Sequence, residues 1–141
     1  MGEEACGLIL LCDEDIGTGV PRALHAVAYD ARALFDMGWA GTPDVQWLVR
    51  AGQMGCLVLS CNKKMLLVES EKATIIRERV GIIYLTNGEE VPAKVLKILL
   101  TKWNALELLD STEQRPFVRF LSPNGHLAVR YRDFVCVPSS V

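Results

Sequence analysis

The chain has 141 residues, a length that suits one domain able to bury about two-thirds of its unfolded surface. Half of the residues are hydrophobic and 23% are charged, a composition that excludes an intrinsically disordered chain. Fifteen basic and seventeen acidic residues leave a net charge of -2, so any nucleic-acid binding must come from a local patch.

Apolar runs of strand length alternate with apolar residues at helical spacing along the first hundred residues. The sequence predicts, in order, a strand over 8–12, a helix over 20–29, a strand over 31–35, a helix beginning near residue 44, a strand over 56–60, a helix over 71–79, a strand over 81–85 and a long helix over 92–109. This alternation predicts a three-layer α/β/α fold with a mainly parallel central sheet of four or five strands. Residues 117–121 and 127–131 indicate a C-terminal β-hairpin or an irregular tail.

Three features of the sequence bear on location and on the classes of site. No basic region precedes a long apolar segment at the N-terminus, and no apolar run reaches the roughly eighteen residues of a membrane span, so we expect a soluble cytoplasmic protein without a membrane partner. The five cysteines are an odd set without a Cys-x-x-Cys pair, and neither a disulfide framework nor a zinc site is predicted. Gly17-Thr18-Gly19 lacks the third glycine of a dinucleotide-binding loop.

Polar side chains follow the predicted strands where those strands end. Asp13, Glu14 and Asp15 come after the first strand, Asp44 begins the second helix, and Asn62, Lys63 and Lys64 come after the third strand. Because ligands of open α/β sheets bind outside the carboxyl ends of the strands, these side chains are expected to meet. Carboxylate and amide oxygens are the ligands that Mg²⁺ and Mn²⁺ prefer, and lysines beside them could hold a phosphate backbone.

Simpler interpretations of the same residues stay open. The acidic triplet 13–15 also suits a solvated turn, and a carboxylate at position 44 is favoured by the helix macrodipole alone. Asn62 suits a turn or a helix N-cap, and Lys63 and Lys64 suit a solvated face. Cys61 would be a nucleophile only if a histidine lay beside it, which the spacing does not require.

The order of these motifs resembles a known family. The run LILLCDEDIGTGVPRALHAVAYDARALF is similar to the opening of small PIN-like domains, in which a strand ends in an Asp-Glu pair and a leucine-faced helix leads into the second strand. The stretches TPDVQWLVRAGQMGCLVLS and GIIYLTNGEE continue the similarity, which covers about residues 8–100. The resemblance is to VapC-like PIN domains of toxin-antitoxin ribonucleases, and it implies a PIN-like domain over 1–110 with a C-terminal extension over 111–141 packed on it.

The resemblance also implies roles for particular residues. It places the first metal-binding aspartate at Asp13, with Glu14 as its neighbour, and the second acidic position at Asp44. After the third strand these families show an acidic pair, whereas this chain has Asn62 in place of the first acid and Lys64 in place of the second. The departure removes negative charge and adds a positive one, so the expected metal affinity is lower.

Two functions follow from the resemblance. The first is a Mg²⁺- or Mn²⁺-dependent endoribonuclease, the toxin of a type II toxin-antitoxin pair, with RNA as substrate and with an antitoxin protein and a second copy of the chain as partners. In it, Asp13, Glu14, Asp44 and Asn62 are catalytic, all but Glu14 bind the metal, and Lys63 and Lys64 bind RNA. The alternative is a degenerate PIN-like domain that binds RNA or a protein partner without cleavage.

Overall fold

The structure, a computed structural model, describes residues 7–86 and 91–128. The strands are β1 (Leu10–Cys12), β2 (Ala31–Ala33), β3 (Leu57–Ser60), β4 (Gly81–Leu85), β5 (Phe117–Leu121) and β6 (Leu127–Ala128). The α-helices are α1 (Gly19–Ala26), α2 (Asp44–Met54), α3 (Glu69–Arg77) and α4 (Pro92–Thr112), and two 3₁₀ turns span Glu14–Ile16 and Lys63–Leu67. No helix among the described residues has the length and apolar character needed to cross a bilayer.

Within the described ranges, the six strands form one sheet in the order β2-β1-β3-β4-β5-β6. The first five strands are parallel, and β6 runs antiparallel to β5. The predicted α/β fold with a mainly parallel sheet is therefore confirmed.

The expected number of strands, four or five, was too low. The predicted hairpin exists, since Leu121 pairs with Leu127 and Phe120 with Ala128, but its first strand is also the fifth parallel strand of the central sheet. β5 lies beside β4 in register from Gly81 to Leu85, so the hairpin extends the sheet and is not an irregular tail. Residues 129–131, which the sequence assigned to the second hairpin strand, lie outside the described residues.

The sheet is covered on both faces, which explains why its central strands β1, β3 and β4 are apolar except for Ser60. On one face, α1 and α4 pack on alternate strand residues such as Leu10, Leu59 and Ile83. On the other face, α2 and α3 pack on the residues between them, such as Leu11, Val58 and Ile82. The result is two hydrophobic cores separated by the sheet.

The strand order reverses at β1, and this places the site. β2 lies on one side of β1 and β3 on the other, so the segments that follow β1 and β3 leave adjacent strands in different directions. In open parallel sheets such a reversal opens a crevice outside the carboxyl ends of the two strands. Asp13 follows β1 and Cys61 follows β3 at this point.

Candidate active site

Asp13 is held at the crevice by hydrogen bonds of its backbone and of both its carboxylate oxygens. Its backbone N–H donates to the Leu59 carbonyl at 2.9 Å and so extends the β1–β3 pairing by one residue. Its Oδ1 accepts the Glu14 N–H at 2.7 Å, and its Oδ2 accepts the Ser60 hydroxyl at 2.9 Å. Only 5% of Asp13 is exposed, so both strands hold this carboxylate in one orientation.

The segment after β3 is tied to the same carboxylate. The buried Ser60 hydroxyl, which donates to Asp13, also accepts the backbone N–H of Asn62 at 2.8 Å. Ser60 therefore links the predicted residue Asn62 to Asp13 through one hydroxyl. Ser60 is not among the predicted site residues, although a polar residue at the end of a buried apolar strand points to this position.

Asp15 is a second carboxylate at this point. Both of its oxygens lie within hydrogen-bond distance of the Cys61 N–H, at 3.2 and 3.3 Å, so it also joins the segments after β1 and β3. Asp15 belongs to the acidic triplet 13–15 but is not among the predicted site residues. The sequence feature that points to Asp15 is its position two residues after Asp13, in the 3₁₀ turn that Asp13 caps.

The remaining predicted acids come from the same side of the sheet. Asp44 is the first residue of α2, and its Oδ1 accepts the indole N–H of Trp47 at 2.9 Å. Glu14 is exposed, and its Oε2 accepts the Gly41 N–H at 3.0 Å, which ties the turn after β1 to the loop before α2. Asp44 thus fits the favourable position at a helix N-terminus and also faces the crevice.

These side chains line one open cleft of about 530 Å³. Its lining residues are Asp13, Glu14, Asp15, Asp44, Cys61, Asn62 and Lys64. The structure therefore brings together Asp13, Glu14, Asp44, Asn62 and Lys64, as the sequence predicted. Lys63 belongs to the 3₁₀ turn that follows, and its side chain lies outside the described part of the structure.

Negative charge accumulates in the cleft at an energetic cost. Burial, followed by repulsion from Asp15, raises the pKa of Asp13 to about 6, against the lowering effect of its two hydrogen bonds. Burial also raises the pKa of Asp15. Glu71, in the first turn of α3, has a pKa raised by burial and then by the charge of Asp44. A proton or a cation in the cleft would relieve this repulsion.

The oxygen ligands of the cleft suit a hard cation only when other molecules complete its coordination. In the described ranges no three histidine, cysteine, aspartate or glutamate side chains converge closely enough to form a metal site by themselves. Mg²⁺ is commonly held by one or two carboxylates, with waters and substrate phosphates filling the other positions. The oxygens of Asp13 and Asp44 suit that arrangement, whereas a cage made of protein ligands alone does not fit.

Comparison of the chain with models of protein families, with curated proteins and with solved structures found no match. The resemblance to PIN-like domains therefore stays a prediction of the sequence.

Proposed function

We propose that the chain is a PIN-like endoribonuclease that hydrolyses RNA phosphodiester bonds with Mg²⁺ or Mn²⁺. The observation that carries the proposal is the convergence of three aspartates, an asparagine and a lysine on one open cleft where the strand order reverses. Carboxylates that repel one another attract a divalent cation, and a lysine beside them attracts a phosphate. RNA brings an anionic backbone to such a cleft.

Asp13 and Asp44 would hold the cation, with the Asn62 amide oxygen beside them. A pKa of about 6 leaves Asp13 ionised at neutral pH and so able to serve as a ligand. When bound, the cation polarises a phosphodiester and lowers the pKa of an attacking water. The hydrogen bonds from Ser60 and from the Glu14 backbone hold the Asp13 oxygens in place beforehand.

Other residues of the cleft would act on the substrate. Lys64 lies on its rim, exposed, where its ammonium group can bind a phosphate of the RNA backbone. Asp15, held by the Cys61 N–H, has a raised pKa and therefore a higher proton affinity than a free aspartate. Such a carboxylate is suited to accept a proton from an attacking water.

A toxin role, with an antitoxin protein as partner, a homodimer as the assembly and a cytoplasmic location, is a further part of the proposal. It is supported by the resemblance of residues 8–100. A small partner gene beside the gene for this chain would support it, and expression of the chain should then arrest growth unless Asp13 is replaced.

A second candidate function is a degenerate PIN-like domain that binds RNA or a protein partner without cutting. It is favoured by Lys64, a cation on the cleft wall, and by the finding that no three acidic, histidine or cysteine side chains among the described residues lie close enough to hold a metal ion together. A positive charge close to a dication weakens binding of the dication. The two candidates therefore differ in whether the cleft holds a metal.

The deciding experiment is cleavage of a mixed RNA pool with and without Mn²⁺. Wild type is compared with Asp13→Asn and with Asp36→Asn, a control that removes the charge of an exposed aspartate paired with Arg22 outside the cleft. Cleavage that requires Mn²⁺, persists in the control and disappears in Asp13→Asn supports the nuclease. Equal cleavage by Asp13→Asn contradicts it.

A gain-of-function variant separates the two candidates further. Asn62→Asp combined with Lys64→Asp restores the acidic pair that the resemblance leads one to expect. If wild type neither cleaves nor gains thermal stability from Mn²⁺, but the double variant gains stability, the degenerate domain is favoured. If wild type already cleaves, the double variant should bind Mn²⁺ more tightly because net charge in the cleft becomes more negative.

A further inference from the structure

A second, smaller cavity adjoins the acidic cleft on the side of β1 that carries β2. Its volume is about 160 Å³, and Asp13 and Glu14 line both cavities. Its other lining residues are Gly17, Thr18, Ala33, Leu34, Phe35 and Ala40. We call this cavity the side pocket. Because the two cavities share walls, a molecule bound in the cleft can extend directly into the side pocket.

The pairing of β1 with β2 fixes the position of the side pocket. Cys12 pairs with Ala33, and the Leu34 N–H donates to the Cys12 carbonyl at 3.2 Å, so the segments that follow the two strands leave the sheet side by side. Strands paired in this way lie about 4.8 Å apart. Phe35 therefore lies one residue beyond the level of Asp13, on the continuation of the neighbouring strand.

Phe35 is exposed although the apolar residues around it are packed. Its exposed fraction is 63%, and among the described residues it is the one phenylalanine, tyrosine or tryptophan in the exposed class. Leu34 is buried, and Met37 and Trp39 pack on the core under α2 and α3. Single exposed apolar side chains are common on protein surfaces. What distinguishes Phe35 is that its ring forms a wall of a cavity shared with the acidic cleft.

The backbone and a neighbouring cation hold the Phe35 ring in place. The Gly38 N–H donates to the Phe35 carbonyl at 3.1 Å, which closes the turn that carries the ring. The guanidinium carbon of Arg22 lies over the ring, 5.9 Å from its centroid, and Arg22 donates two hydrogen bonds to Asp36, at 3.0 and 2.7 Å. Arg22 does not line the side pocket, so it leaves the part of the ring that faces the pocket free for a ligand.

The chemistry of the side pocket favours a nucleobase over a charged group. The carboxylates of Asp13 and Glu14 repel a phosphate, and the remaining walls are mostly apolar, so they offer no partner to a charge. A nucleobase is flat and uncharged, and it carries N–H donors that a carboxylate can accept. The side pocket is smaller than the roughly 300–1,000 Å³ of pockets for drug-sized ligands, so it suits a single ring system.

We propose that the side pocket binds one base of a single-stranded RNA, which stacks on Phe35 while the adjacent phosphate lies in the acidic cleft. Aromatic side chains bind unpaired RNA bases in this way, and the contact accepts any base because each has a π-face. This inference rests on the proposed function in one respect, the binding of RNA in the cleft. Phe35 contacts the RNA but not the cation, so its role is to hold the strand.

The test is equilibrium binding of a fluorescent single-stranded RNA of mixed sequence, measured by fluorescence anisotropy. Ca²⁺, which also takes oxygen ligands, replaces Mn²⁺ in the cleft, and the RNA is recovered after each titration to show that it is intact. A second probe has the same length and charge but consists of abasic nucleotides. The comparison of the two probes separates binding of the bases from binding of the phosphates.

Three variants are compared with wild type. Phe35→Ala should bind the RNA about 5- to 150-fold more weakly, the range that alanine substitution of a stacking aromatic residue produces. Phe35→Tyr keeps the aromatic face and should bind the RNA as wild type does. Leu108→Ala is the matched control, because Leu108 is 64% exposed on α4 and lines neither cavity. All three variants should bind the abasic probe with wild-type affinity.

Equal RNA affinity in Phe35→Ala and wild type overturns the proposal, as does a wild type that binds the RNA no better than the abasic probe. Sedimentation supplies a further readout: if Phe35→Ala converts a dimer to a monomer and keeps its RNA affinity, the ring is a contact between two copies of the chain and the proposal is wrong. A wild type that binds RNA through Phe35 but cleaves none contradicts the nuclease proposal alone. Cleavage by wild type with equal RNA affinity in Phe35→Ala contradicts the side-pocket proposal alone.

Discussion

Replacement of Asp13 by asparagine should stabilise the protein at neutral pH while it removes cation binding. Burial and repulsion from Asp15 raise the pKa of Asp13 from 3.8 to about 6 in the folded state. The folded chain therefore holds this proton more tightly than the unfolded chain does. Its contribution to stability is complete below about pH 4 and is lost as the pH rises through about 6.

The size of the effect follows from the two pKa values. A difference of one between folded and unfolded pKa corresponds to about 1.4 kcal/mol, so ionised Asp13 costs the folded state about 3 kcal/mol. Asparagine keeps an oxygen for the Glu14 N–H but offers an amide group to the Ser60 hydroxyl, which loses its acceptor at a cost of roughly 1–2 kcal/mol. The net gain is about 1–2 kcal/mol, or roughly 3–8 °C in Tm.

The assay is thermal unfolding in the presence of a chelator at about pH 7.5 and about pH 4. The gain should be present at the higher pH and absent at the lower one, where wild-type Asp13 is protonated in the folded state. Asp36→Asn is the control, because Asp36 accepts two hydrogen bonds from Arg22, which lowers its pKa and gives the opposite sign. A variant at position 13 that is no more stable than wild type at about pH 7.5 refutes the reasoning.

Two further predictions concern the pH dependence of the cleft and the packing of α2 on α3. Mn²⁺ binding should weaken as the pH falls below about 6, because the cation then competes with a proton on Asp13. The loss of Mn²⁺ affinity from this one group should approach about tenfold per pH unit. Mn²⁺ titrations from neutral to acid pH measure this loss, and a constant affinity would contradict the prediction. Gly52→Ala should destabilise the fold by about 1–3 kcal/mol in urea unfolding, because its Cβ would lie 2.6 Å from the Glu78 carbonyl oxygen. Gly19→Ala, where no atom lies within 4 Å, should be neutral or slightly stabilising, and a loss equal to that of Gly52→Ala would rule out the steric explanation.

The α/β alternation could be predicted because it depends on local patterns. A strand covered on both faces must be mostly apolar, which is what residues 57–59 and 81–85 show, and an amphipathic helix carries its spacing in its own sequence. The convergence of Asp13, Asp44 and Asn62 was also predictable, since the carboxyl ends of parallel strands share one edge.

The direction of pairing was not local and was therefore missed for residues 117–121. Their sequence suits any strand of a hairpin, and only the return of the chain along α4 places them parallel to β4. The predicted end of the first helix was also wrong. The chain leaves the helix after Ala26, and the positive φ of 75° at Ala28 turns it toward β2, although the apolar spacing continues.

The contacts of the cleft that join distant segments of the chain were determined by tertiary structure alone. The hydrogen bond from Ser60 to Asp13 joins residues 47 positions apart, and it depends on the register of β1 against β3. The effect of the Asp44 charge on the pKa of Glu71 depends on how α2 packs against α3. The sequence by itself determined which residues could carry the chemistry, because polar groups must interrupt apolar patterns to reach the surface. Register and helix packing decided which of them face one another, because those distances are set by contacts between segments far apart in the chain.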